Sequence, residues 1–281
     1  MQRKFIDVDD VSNPLLKISN ANADYQLTAE DLAGLTKIKS YLCYNSIYLT
    51  SVVIPEGVTS IEYYAFFNCY NLKSITISSS LTKIGDSAFY NCDNIYAVHI
   101  SDLSAWLKVS FGINSSRPTV YSKTKIYLNG TFLEGNITIP SDVTKIGSGL
   151  AFYLHITGVI IPDEVTEIGT SAFEYCDNLE NVVIGNGVTK IGYKAFTACS
   201  KLTNIIIPES VINIGDYGFR CGNSTNKVII TMLSTTPPSI QSNSFLTSTL
   251  NKIVVPAGCG EAYKAATNWS TLADYIEEAA A

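Results

Sequence analysis

Apolar residues along this chain come in short alternating bursts rather than in helical stretches. The segment Leu72-Lys-Ser-Ile75-Thr-Ile77 has the form L-x-x-I-x-I, which predicts a strand with Ile75 and Ile77 turned inward. Pro or Gly stops such runs at Pro55, Pro140, Pro162, Gly185 and Pro208. A second inward pair follows in the form V-T-x-I-G, as in Val188-Thr-Lys-Ile191-Gly192, where the glycine is read as permitting a backbone turn that residues with a Cβ resist. The word A-F-x-x-C then closes the unit, ending at Cys69, Cys92, Cys176 and Cys199.

Spacing turns these words into an array. Phe66 to Phe89, Phe173 to Phe196 and Phe196 to Phe219 are each 23 residues apart. A fixed period of roughly 20 to 50 residues signals stacked repeats, because one unit of this length cannot bury its own apolar face. The expected fold class is therefore a repeat solenoid, mostly β with short turns and helices, and with a parallel β-sheet along one face. Stacking at about 4.8 Å per strand makes Phe66, Phe89, Phe152, Phe173, Phe196, Phe219 and Phe245 a spine of rings, with the four cysteines in a column beside it.

That column has two readings, a metal or disulfide ladder and a row of thiols packed as small hydrophobes. No C-x-x-C occurs, the total of seven cysteines is odd, and Ser46 or His155 replaces Cys elsewhere in the frame. Packing is the expectation, and no cofactor or metal follows from it.

Residues 26–257 form the expected array, and residues 1–25 an N-terminal extension or cap. An irregular insertion at about 101–135 breaks the frame. Within it a short helix is predicted over Leu103 to Lys108, with Trp106 or Leu107 in the place of Ile84 and Phe111 in the phenylalanine column. Asn129-Gly130 signals a protruding hairpin at about Lys125 to Glu134. The insertion reads either as a binding element or as a join between half-arrays. Ala262, Ala266, Trp269, Leu272 and Ile276 recur at helical spacing, so residues 258–281 are expected to form an amphipathic C-terminal capping helix.

Composition narrows the partners. The 281 residues are 46% hydrophobic, and 19 basic against 25 acidic residues give a net charge of -6, with no basic run beyond Arg3-Lys4. Nucleic-acid binding and membrane insertion are not expected. The N-terminus lacks the apolar middle of a signal peptide, so the protein is either cytosolic or exported by a segment not present in this chain.

The unit I/V-P-x-x-V-T-x-I-G-x-x-A-F-x-x-C-x-x-L, running from about Leu27 to Val255, resembles the bacterial BspA-like (Treponema pallidum type) leucine-rich repeat family. The segments from Ala105 to Gly130 and from Val254 to Trp269 are similar to ones that accompany these repeats. The resemblance implies a leucine-rich-repeat right-handed superhelix and a cell-surface or secreted adhesion protein of a host-associated bacterium. It implies a protein partner, such as a host matrix or cell-surface protein, and no shared catalytic residues.

Within each strand, the residue between the inward pair faces outward. This row reads Val53, Thr76, His99, Thr138, Ile160, Val183, Ile206, Ile229 and Val254, flanked by polar residues that include Asn181 and Asn204. It is the candidate partner-binding face of a monomer; the alternative is a ladder that only stabilises the sheet. Catalysis has little to work with. Of two histidines, His99 lies near Ser101 and Asp102, but neighbouring strand residues point to opposite faces and Asp102 suits a helix cap. The chain is expected not to be an enzyme. A glycan-binding module, served by the 17 tyrosines, or a structural spacer is the alternative.

Overall fold

The computed structural model describes residues 25–112, 118, 124–149, 154–223 and 225–280. The extension expected before residue 25, and Phe152 of the ring spine, lie outside these residues. The chain divides into two compact units, Met1–Ala105 with Val109–Thr131, and Trp106–Lys108 with Phe132–Ala281.

In the first unit the long strands Tyr25–Leu27, Leu49–Val53, Ser74–Ile77, Ala97–Ile100 and Lys125–Leu128 lie side by side, all parallel. The two-residue strands Lys37–Ile38, Ser60–Ile61, Lys83–Ile84 and Ser110–Phe111 make a second parallel sheet. The second unit repeats the plan. Its long strands are Glu134–Thr138, His155–Ile161 and Asn181–Ile184, then Asn204–Ile207, Val228–Met232, Leu250–Val255 and Ile276–Glu278. Its short strands are Lys145–Ile146, Glu167–Ile168, Lys190–Ile191, Asn213–Ile214 and Ser239–Ile240. A regular coil therefore supplies one long strand, one short strand and a turn carrying the phenylalanine, while the first coil has Cys43 in that place.

The repeated words map onto the interior. Ile75, Ile77, Leu81, Ile84, Phe89 and Cys92 of one coil are all buried. Phe66 stacks on Phe89 at 5.2 Å between ring centroids, and Phe173, Phe196 and Phe219 follow one another at 5.3 Å with planes within 6°. The thiols hydrogen-bond to the carbonyl of the coil before: Cys92 Sγ donates to Phe66 at 3.0 Å and Cys199 Sγ to Phe173 at 3.2 Å. Threonine of V-T-x-I-G has its own ladder, Thr82 Oγ1 donating to the Thr59 carbonyl and Thr189 Oγ1 to that of Thr166.

The glycine of that word is there for a different reason than the pattern suggested. Gly85, Gly192 and Gly215 do not hold positive φ; a Cβ at Gly192 would stand 2.7 Å from the Gly169 carbonyl carbon and the Thr170 amide nitrogen. Close stacking, not turning, excludes a side chain. The left-handed positions fall instead on non-glycine residues of the turn, such as Asn68, Asn91, Tyr175 and Ala198, with φ of 59°, 57°, 61° and 60°.

Three expectations are corrected. The hairpin across Asn129-Gly130 does form, with φ of 50° and 81° and Thr131–Phe132 next to Lys125–Leu128 in the sheet, but it does not protrude: Lys125–Leu128 is also the next parallel strand beside Ala97–Ile100. Phe111 pairs with Ile84, so Phe111, and not Trp106 or Leu107 of the helix, occupies the second inward column, and it is not in the phenylalanine column. The cap expected at Asp102 does form on the short helix Leu103–Leu107, its Oδ1 accepting the Ala105 amide at 3.0 Å. At the C-terminal end a helix is present but short, Gly260–Ala265, followed by a 3-10 turn Trp269–Tyr275 and a strand. Tyr263 and Trp269 anchor this end through bonds to the Ser234 and Pro238 carbonyls, both 2.8 Å. The strand Ile276–Glu278 pairs with Leu250–Val255, and exposed Glu277 and Glu278 leave a charged edge that discourages further strand addition.

Candidate functional site

The outward row of the long strands is real, with one shift. In the first unit Val53 pairs with Thr76 and Thr76 with His99. Tyr127 then pairs with His99, its ring 5.0 Å away and inclined by 21°. Sequence reasoning missed Tyr127, and laying Lys125-Ile-Tyr-Leu128 over Ala97-Val-His-Ile100 would have found it. At the C-terminal ends of these strands lies a groove of about 400 Å³, lined by Val53, Glu56, Thr76, His99 and Asn129. Glu56 is already engaged. Its carboxylate accepts the amides of Ser79 and Ser80 at 3.0 and 3.2 Å, and the Ser79 amide holds its carboxyl below the usual range.

In the second unit Thr138 pairs with Ile160 and Ile160 with Val183, and Ile206 pairs with Thr231, which pairs with Val254. Ile229 is thus displaced from the row; it aligns with Asn204 and Lys252 in the flanking column. The reason is length: two residues more than the usual 23 separate Asn204 from its partner Ile229. Ile160, Val183 and Ile206 are 46%, 56% and 52% exposed, whereas Thr231 and Val254 are half-buried. Asn181 and Asn204 are exposed beside them.

Other candidate chemistry does not gather into a centre. Burial pushes the thiols of Cys43, Cys92, Cys176 and Cys199 up, and that of Cys221 to about 12, so these sulfurs stay protonated. Among the described residues no group of three or more His, Cys, Asp or Glu side chains is placed to hold a metal ion. His155 begins a strand, half-buried, with its ring 5.6 Å from Phe132 and its Nε2 without a hydrogen-bond partner among the described residues. No helix among the described residues is long and apolar enough to cross a membrane.

Coils of one long and one short parallel strand, closed by a turn around a buried phenylalanine, define a leucine-rich-repeat solenoid. More narrowly, the chain belongs to the family described as BspA type leucine rich repeat region, which matches residues 36–153 and 144–272 in 6 copies. Comparison with curated proteins gives no match. Among solved structures, a leucine-rich repeat protein from Bacteroides ovatus is 22% identical with a TM-score of 0.49, over 78% of this chain and 60% of that one. This chain thus spans less than two thirds of that protein's length. A leucine rich cell surface protein from Faecalibacterium prausnitzii is 20% identical with a TM-score of 0.48, over 88% of this chain and 80% of that one. The T. pallidum leucine rich repeat protein is 23% identical with a TM-score of 0.41, over 63% of this chain and 77% of that one.

Proposed function

We propose that this chain is a non-catalytic interaction module of a bacterial surface or secreted protein, and that it holds a protein partner against the outward face of its second unit. The observation that carries this reading is the exposed apolar row Ile160, Val183 and Ile206 on a polar-flanked parallel sheet. Solvent covers nothing there that a coil needs for stacking. Fully burying an aliphatic side chain contributes about 1.5–3 kcal/mol, and these are already about half covered, so each is worth roughly 1 kcal/mol to a partner that buries it. A host matrix or cell-surface protein is the partner class, in keeping with the family's surface proteins.

The test replaces Val183 and Ile206 with Lys in the full chain and measures binding to immobilised host matrix and cell-surface proteins. Wild-type capture that disappears in the double variant, with circular dichroism and melting temperature unchanged, is the expected result. Capture that survives both lysines, or wild-type signal on glycans alone, overturns the reading.

A further inference from the structure

The short strands of the second unit contain an internal template for binding a carboxylate. Lys145, Glu167 and Lys190 stand in register on three consecutive coils. Glu167 accepts from Lys190 Nζ at 2.8 Å and lies 3.5 Å from Lys145 Nζ. The hydrogen bond from Lys190, with help from Lys145, holds the Glu167 carboxyl below its ordinary range.

The first unit repeats this row with one change. Lys37, Ser60 and Lys83 are in register on three coils, so a hydroxymethyl group stands where the template has a carboxylate. Both lysines are exposed, and neither forms an ion pair among the described residues. A groove of about 510 Å³ lies over the row and continues past Glu62, Tyr63 and Asp86. The backbone offers a strand-like ligand nothing here. The amides of Thr59, Thr82 and Gly85 already donate to carbonyls of the preceding coil, at 2.8, 2.9 and 2.7 Å. Recognition in this groove is therefore by side chains.

We infer that the groove binds an acidic sugar, a glycan residue bearing a single carboxylate. Its carboxylate takes the place of Glu167 between Lys37 and Lys83, as a charge-assisted pair of hydrogen bonds. Sugar hydroxyls donate to the carboxylates of Glu62 and Asp86 at the other end, and the 48% exposed ring of Tyr63 covers an apolar sugar face. The same two acids repel a polyanion, which limits the ligand to one negative charge near the lysines. This groove is on a different sheet and in a different unit from the row proposed to hold a protein, so the two readings fail separately.

The experiment titrates the full chain with D-glucuronic acid and with N-acetylneuraminic acid, using D-glucose as the neutral counterpart, and follows binding by saturation-transfer NMR. At least one acid binds, and glucose binds about tenfold more weakly or not at all. Which acid binds separates a uronic from a sialic source. Ser60→Glu recreates the template and so abolishes binding while leaving the melting temperature unchanged or higher. Should that variant fold poorly, Lys37→Gln with Lys83→Gln, at two exposed positions, gives the same loss. Equal binding of glucose, no binding of either acid, or binding that survives Ser60→Glu overturns the inference. So does binding of N-acetyl-glutamate amide with both sugar acids silent.

Discussion

Ala198 occupies a backbone position that suits asparagine. It holds φ of 60°, with its amide bonded to the Arg220 carbonyl at 2.9 Å, so the conformation is locked by the next coil. A residue with a Cβ in the left-handed region costs roughly 1–2 kcal/mol, and asparagine recovers part of that through local hydrogen bonds of its side chain. The counterparts in the first unit are Asn45, Asn68 and Asn91, with φ of 58°, 59° and 57°. Ala198→Asn is therefore expected to stabilise by about 0.5–1 kcal/mol, the recovered part of the left-handed penalty. The reverse change is larger. Asn68 donates to Asn45 Oδ1 at 2.8 Å and accepts from Asn91 Nδ2 at 2.9 Å, so Asn68→Ala loses two hydrogen bonds as well as the backbone preference. Partly exposed bonds of this kind contribute about 0.5 kcal/mol each, which brings the expected loss to about 2 kcal/mol.

Urea denaturation followed by far-ultraviolet circular dichroism reads both changes as shifts of the midpoint at constant slope. Opposite signs, with the Asn68 effect the larger, are required. An Ala198→Asn variant that is less stable than wild type, or an Asn68→Ala variant within a few tenths of a kcal/mol of it, would refute the account of the turn.

Thiol accessibility checks the buried sulfur column. Cys259 alone of the seven cysteines is not buried, so a disulfide reagent should label one thiol in the native protein and seven in denaturant. Rapid native labelling of a second thiol would contradict the packing. Glu167 gives a pH test. Its carboxyl is lowered in the fold, so its stabilisation is complete above the unfolded value of about 4.3 and disappears as pH falls through the lower folded value. Glu167→Gln should cost roughly 0.5 kcal/mol at neutral pH, and the gap from wild type should close below about pH 4. A gap that persists in acid would show that packing, not charge, sets the effect.

The interior was legible because stacking makes it repeat. Phe196 meets Phe173 and Phe219 with nearly parallel rings, like stacked on like, so the 23-residue spacing reports the coil directly. Register failed where that spacing changed. Beyond Ile206 the coil has two extra residues, and counting by 23 placed Ile229 in the outward row when Thr231 belongs there. That the hairpin at Lys125–Leu128 lies in the sheet rather than protruding was missed for a related reason. The Asn129-Gly130 signal is local and correct, but the strand's second partner is Ala97–Ile100, and a pairing that distant leaves no local mark. The role of the V-T-x-I-G glycine was likewise invisible, since only the neighbouring coil shows what a Cβ would strike.

The same logic locates function in what differs between coils. A position that faces a neighbouring coil on both sides is constrained twice, and Ile61, Ile84, Ile168 and Ile191 keep one residue type across both units. A position that faces solvent carries no such constraint, so Ser60 can stand where Glu167 stands and Thr76 where Val183 stands without disturbing the stack. Beside the charge row Lys145, Glu167 and Lys190, the row Lys37, Ser60 and Lys83 has a hydroxymethyl group in place of the carboxylate. An array of near-identical coils thus supplies its own reference state, and the departures from it, rather than the repeated words, are where a ligand is to be sought.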